Sequence, residues 1–165
     1  MSDFVSTTSS MIEGIRTPRM EPQPEIAAGL VAPIAENAAE TILLVEDEAF
    51  VRKVTAEVLE SGGYTVLVAR KSDEALELYG KCPRPVDLLL ADIILPGMSG
   101  PELASKLERT CPCTRILLMS GHAGRVARLE EAGYAGHCLV KPFSASLLLK
   151  KVREVLSAGT GRCLA

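Results

Sequence analysis

The sequence predicts an α/β domain built on a five-stranded parallel sheet with helices on both faces. Two patterns carry that prediction. Between Thr41 and Ser157, five short apolar runs alternate with five segments of helical period. Within the runs consecutive residues, not alternate ones, are apolar, as in TILLV at 41 to 45 and LLLA at 88 to 91, which marks strands buried on both sides. The 165 residues are a one-domain length, and a hydrophobic content of 47% suffices for a core. Because only 4% of residues are aromatic and Trp is absent, that core must be built from Leu, Val, Ile and Ala.

Taken in order, TILLV is the first strand, followed by a helix over about Ala49 to Ser61 with Val51, Val54, Val58 and Leu59 inward and a stop at Gly62-Gly63. YTVLVA (64 to 69) is the second strand, and SDEALELYG (72 to 80) a helix with Ser72 as its expected N-cap. VDLLLAD (86 to 92) and PELASKLERT (101 to 110) form the third strand and helix. RILLMS (115 to 120) is the fourth strand, with a weaker helix over about Arg125 to Ala132. GHCLVK (136 to 141) is the fifth strand. Ser144 then caps a helix over 145 to 157 that turns Leu147, Leu148, Val152, Val155 and Leu156 inward and Lys150, Lys151 and Arg153 to water.

Residues 1 to 39 contain STTSS, four prolines and no sustained period, and read as a flexible tail or linker; 159 to 165 read as a short C-terminal tail. The net charge of -3 resides in 1 to 39, where five acids face Arg16 and Arg19, so the rest is balanced. No basic stripe with interleaved aromatics appears, which argues against direct nucleic-acid binding. The five cysteines lack CxxC spacing and a His cluster, as expected of reduced thiols in a cytoplasmic protein. IAAGLVAPIA (26 to 35) is broken by Pro33, far shorter than the ~20 residues a membrane span needs, and has no positive region before it.

In a parallel α/β sheet, functional groups gather at the carboxyl ends of the strands. Here the first strand ends in Glu46-Asp47-Glu48, the third in Asp92, the fourth in Ser120-Gly121 and the fifth in Lys141-Pro142. Each has an ordinary explanation alone: the acids can face a helix dipole, Asp92 can be a turn residue ahead of Pro96-Gly97, and Ser120 and Lys141 can be loop residues. All four ordinary explanations would have to hold together at four strand ends. Three carboxylates in one crevice (Glu46, Asp47, Asp92) repel and call for a cation, and an oxygen-only set suits Mg²⁺. With the Lys141 ammonium and the Ser120 hydroxyl added, the set suits a phosphoryl group carried on a carboxylate, with Asp92 as the nucleophile.

LLVEDE, LLLADIILPGMSG, LLMSG and LVKPF together resemble the receiver domain of two-component response regulators over about 40 to 158. The resemblance implies a flavodoxin-like (CheY-like) doubly wound sheet of order 2-1-3-4-5. It further implies that Asp92 accepts a phosphoryl group from a histidine kinase or histidine phosphotransfer protein. Asp47, Asp92 and the Ile94 backbone carbonyl would bind Mg²⁺, with Glu46 acting through water. Ser120 and Lys141 would hold phosphoryl oxygens, with Lys141-Pro142 cis and Gly121 the small neighbour of the phosphoryl group. One position departs from the family: three residues before the lysine, where an aromatic is usual, stands Cys138, which puts the usual link to an output face in doubt. His122 is a candidate at the mouth of the site; His137 reads as a surface or loop residue, the Cys111-Pro112-Cys113 pair has one residue between its thiols and no redox spacing, and GHAG (121 to 124) is too short for a phosphate-binding loop.

The expected function is a receiver that signals through protein partners, as a monomer or weak dimer, without DNA or membrane binding. It would be no enzyme beyond phosphoryl transfer to Asp92 and hydrolysis there. With only SAGTGRCLA after the last helix, no output domain is expected on the chain, which would be a stand-alone regulator or the receiver of a hybrid kinase. The alternatives are a receiver-like binding module that works without phosphorylation, and an Asp-dependent phosphohydrolase. Against the latter, dehalogenase-like enzymes place their nucleophile on the first strand with a second Asp two residues on, where this sequence has Ile94.

Overall fold

The computed structural model describes residues 39 to 121, 129, 133, 134 and 136 to 158, all within one compact unit. The elements are β1 (Thr41–Val45), α1 (Ala49–Ser61), β2 (Thr65–Ala69), α2 (Ser72–Lys81), β3 (Leu88–Asp92), α3 (Gly100–Thr110), β4 (Arg115–Ser120), β5 (Cys138–Val140) and α4 (Ala145–Ser157). The strands pair in parallel in the order β2-β1-β3-β4-β5, as expected. The chain runs from β1 outward to β2 and then back past β1 to β3, so the strand order reverses between β1 and β3 and opens a crevice at their carboxyl ends.

Successive strand residues point to opposite faces, which divides the apolar runs into two cores. Leu43, Val45, Leu89, Ala91 and Leu118 face Ala75 of α2 and Leu103, Ala104 and Leu107 of α3. Ile42, Leu44, Leu88, Leu90, Leu117 and Met119 face Leu59 of α1 and Leu148, Val152, Val155 and Leu156 of α4. Both sets are needed, which is why β1, β3 and β4 read as unbroken apolar runs. Truncating one of these leucines to Ala removes roughly 2–5 kcal/mol.

Several sequence expectations are corrected. Val54 and Leu147 are exposed, because each lies off the centre of its helix's buried stripe, by roughly a quarter turn or more at ~100° per residue. β2 is an edge strand with Val68 partly open, and β5 has three residues, since Gly136 and His137 belong to the turn before it. Lys71, not Ser72, is the N-cap of α2; Ser72 is the first helical residue, and its hydroxyl donates to the Met98 carbonyl at 2.5 Å. Ser144 does cap its helix, accepting from the Leu147 N–H at 3.2 Å.

Of the helix expected over 125 to 132, only Leu129 is described, helical and buried; His122 lies outside the described residues. Cys82, Cys111 and Cys138 carry free thiols, whereas Cys113 is disulfide-bonded. Spacing alone could not reveal that bond, because disulfides join residues near in space. No helix among the described residues is long and apolar enough to cross a membrane.

Candidate functional site

The site begins where β1 runs out. Glu46 still donates its N–H to the Ala69 carbonyl at 3.1 Å, so its side chain stays at the sheet edge, 1% exposed. Asp47 and Glu48 are exposed in the turn into α1, and Glu48, the N-cap, makes no side-chain cap. The turn is held from outside: the Arg52 guanidinium donates to the Glu46 carbonyl at 2.8 Å and the Asp47 carbonyl at 2.9 Å through one nitrogen.

β3 ends on Asp92, 8% exposed, whose Oδ1 accepts the Ile94 N–H at 2.7 Å. The chain then turns through Pro96 and Gly97, where φ is +83°, a conformation natural to glycine. Ser99 starts α3 with a full capping box: its hydroxyl accepts from the Glu102 N–H, and the Glu102 carboxylate accepts from the Ser99 N–H at 2.8 Å. Gly100 packs directly against the strand end, where a Cβ would lie 2.2 Å from the Asp92 carbonyl oxygen. Its N–H donates to the Ile93 carbonyl at 3.1 Å, and Ser72 holds Met98 from the other side.

The fourth and fifth strands close the crevice. Ser120 is buried, and its carbonyl accepts the Lys141 N–H at 2.7 Å; the Lys141-Pro142 peptide is cis. β5 lies three strand spacings from β1, about 14 Å at ~4.8 Å each. Side chains reaching in from both ends close that gap: the Lys141 Nζ donates to Glu46 Oε2 at 2.6 Å and to Asp92 Oδ2 between them. Of the predicted residues, Glu46, Asp92 and Lys141 are therefore in direct contact. Ser120 lies beside them on β4; Asp47 and Ile94, the latter 51% exposed, stand at the rim.

One ammonium shared by two carboxylates leaves the cluster negative. Burial pushes the Glu46 carboxyl up, Lys141 offsets part of that rise, and the Asp92 charge adds to it. For Lys141, burial disfavours the charged form, but the hydrogen bonds and charges of Asp92 and Glu46 outweigh it, and the ammonium is held above its ordinary range. Among the described residues no three His, Cys, Asp or Glu side chains are gathered as a metal site, and Lys141 stands between Glu46 and Asp92. The donor chemistry nonetheless fits a hard cation. The acids offer only oxygen, their charge is incompletely balanced, and Asp47 adds a third carboxylate at the rim.

A match to the response regulator receiver domain covers residues 42–153. The chain belongs to the response regulator receiver family. It is 39% identical over 117 residues to the sensor kinase CckA of Brucella abortus, covering 70% of this chain and 12% of that protein. It is 35% identical over 121 residues to the phosphate regulon transcriptional regulatory protein PhoB of Pseudomonas aeruginosa, covering 70% of this chain and 51% of the relative. The chain thus spans from about an eighth to about half the length of these curated relatives. Among solved structures, a CheY-like receiver from Methanospirillum hungatei is 30% identical with a TM-score of 0.64, over 72% of this chain and 94% of the other. The response regulator protein TrrA of Thermotoga maritima, solved in complex with Mg(2+)-BeF, is 29% identical with a TM-score of 0.62, over 70% of this chain and 98% of the other. Receivers are signalling modules of two-component systems, and the flavodoxin-like architecture expected from the sequence is the one found.

Two residues that shape the receiver's crevice escaped the sequence reading, Arg52 and Gly100, and a third, Ser72, was expected as a helix cap and not as the holder of Met98. Arg52 left a signal, being a long cation one helical turn past an uncapped acidic turn and able to reach back over it. His137 has a structural contact, its Nδ1 lying 3.0 Å from the Ile116 carbonyl. Cys138 is half-buried and packs into the core shared with α2 and α3, where burial and then the Asp92 charge push its thiol up.

Proposed function

We propose that this receiver accepts a phosphoryl group on Asp92 from the phosphohistidine of a histidine kinase or histidine phosphotransfer protein, in a Mg²⁺-dependent reaction, and signals through protein partners. The observation that carries the reading is the convergence of Asp92, Glu46 and Lys141 from three strands that the sheet order brings to one crevice. Asp92 is fixed by the Ile94 N–H and Lys141, which orients its carboxylate for attack. A carboxylate oxygen forms the new P–O bond as the P–N bond to the donor imidazole breaks; that ring keeps the electron pair and is left neutral once its proton balance is restored. Lys141, already held as an ammonium, offsets the charge on the phosphoryl oxygens, and the hydroxyl of the buried Ser120 would hydrogen-bond to them. Mg²⁺ held by Asp47, Asp92 and the Ile94 carbonyl, with Glu46 behind a water, would supply further charge neutralisation for the same oxygens.

The partners proposed are proteins, with no contact to DNA or membrane, in line with the balanced charge of residues 40 to 165. Cys138 supports an output that does not run through a rotating aromatic ring, since a half-buried thiol has no large surface to expose. Intact-mass measurement after incubation with acetyl phosphate tests the reading. The wild type is expected to gain one alkali-labile phosphoryl group only with Mg²⁺, and Asp92→Asn none. Equal labelling of Asp92→Asn would exclude Asp92 as the acceptor, and absence of labelling from acetyl phosphate and kinase alike would favour a module that works without phosphorylation.

A further inference from the structure

We infer that Arg52 is a positioning residue for the acidic turn: it sets the affinity of the crevice for a divalent cation without itself touching the cation or the phosphoryl group. This inference rests on the proposed Mg²⁺-dependent phosphorylation. Its basis is a single guanidinium nitrogen that donates to two successive carbonyls, those of Glu46 and Asp47. These residues form the turn between β1 and α1, and they carry two of the three acids at the crevice.

The clamp matters because few other bonds hold the main chain of this turn. Its N-cap makes no side-chain cap, and no acid lies in the first turn of α1. Among the described residues, Lys141 holds the Glu46 side chain, and the main chain of the turn is held by the Ala69 bond to the Glu46 N–H, the bond from the Arg52 N–H to the Glu48 carbonyl that starts α1, and a long contact of 3.4 Å from the Glu48 N–H to the Glu46 carboxylate. Fixing both carbonyls fixes the peptide planes on either side of the Asp47 Cα, and with them the direction in which its carboxylate leaves the chain.

The chemistry of the contact is also suited to the task. A guanidinium bound to the carboxylates themselves would compete with a metal for the same oxygens. Arg52 instead occupies main-chain carbonyls, so it adds a positive charge beside a cluster that one ammonium balances incompletely while leaving carboxylate oxygens to a cation. The role parallels the hydrogen bonds that orient metal-binding side chains from behind, whose loss typically weakens metal affinity by roughly 10–100-fold.

The test compares the full-length wild type with Arg52→Ala, Arg52→Lys and Lys53→Ala. Lys53 lies on the same helix in an exposed pair with Glu57, so its removal changes the net charge equally without touching the turn. Mg²⁺ half-saturation is read by amide chemical shifts and, separately, from the acetyl phosphate labelling rate against Mg²⁺; melting temperature is read for every variant without metal. Expected is a half-saturating Mg²⁺ concentration raised roughly tenfold in Arg52→Ala, with the labelling rate recovering toward wild type at saturating Mg²⁺. Arg52→Lys should restore most of the affinity, and Lys53→Ala should match the wild type. If Arg52→Ala binds Mg²⁺ like the wild type, or if Lys53→Ala weakens it as much, the positioning role is wrong while the phosphorylation reading stands. If the wild type neither binds Mg²⁺ nor is labelled, both fall together.

Discussion

Lys141, just past β5, places its ammonium 2.6 Å from the Glu46 carboxylate at the end of β1, 95 residues earlier in the chain, and touches Asp92 between them. It is the main counter-charge for two largely buried acids, and its removal exposes what it balances.

Lys141→Ala should therefore destabilise the metal-free protein by about 3 kcal/mol, the lower end for breaking a buried pair from one side, since part of the site is open to water. Millimolar Mg²⁺ should restore part of the lost stability, because another cation can then face the acids. Urea denaturation with and without Mg²⁺ checks both statements; a variant as stable as wild type without metal would show that Glu46 and Asp92 need no counter-charge.

Gly100→Ala would push a methyl carbon into the Asp92 carbonyl, 2.2 Å away. Backbone cannot yield as a side-chain tip does, so α3 must shift, at a cost of about 1–3 kcal/mol. The shift would also displace Asp92, and labelling by acetyl phosphate should slow even at saturating Mg²⁺. Denaturation midpoint and labelling rate measured on one sample separate the two effects.

Ser99→Ala removes the N-cap of α3 and should cost about 1 kcal/mol. Hydrogen bonds from Ser99 hold the Glu102 carboxyl below its ordinary range. A depressed carboxyl contributes stability that is present above the unfolded value, about 4.3, and is lost as pH falls through the folded one. The difference in stability between wild type and Ser99→Ala should thus narrow on acidification, as followed by circular dichroism.

Cys111 and Cys138 should differ in reactivity. Hydrogen bonds from Tyr79 and from the Cys113 backbone hold the Cys111 thiol below its ordinary range, whereas burial raises that of Cys138. Cys111 should reach half its maximal alkylation rate at the lower pH, and Tyr79→Phe should move that point upward. Peptide-resolved mass spectrometry after iodoacetamide pulses reads both sites; coincident profiles would contradict the prediction.

The sheet and most of the crevice were legible in the sequence because four of the five apolar runs end on a residue that lines the crevice, so finding the runs located Glu46, Asp92, Ser120 and Lys141 together. What was not legible depends on contacts across the chain. Arg52 and Ser72 act through carbonyls, which every residue has, so no partner type marks them, and Arg52 is signalled only by its place one helical turn past the acids. Gly100 reads as one more turn glycine until the approach of α3 to Asp92 is seen. The misplacement of Val54 and Leu147 has another cause: an apolar side chain at the flank of a helical stripe satisfies the period whether or not a partner covers it.

The bond between Lys141 and Glu46 spans strands that are not neighbours, with β3 and β4 between them. It closes a long loop of chain and can form only after β5 has joined the sheet. During synthesis from the amino terminus, Asp92 is made well before the lysine that holds it, so a chain still missing its last strand carries this carboxylate without its counter-charge. The balance of charge arrives with the final strand, and a chain cut short before residue 141 would leave both acids without the Lys141 ammonium even where its first four strands had folded.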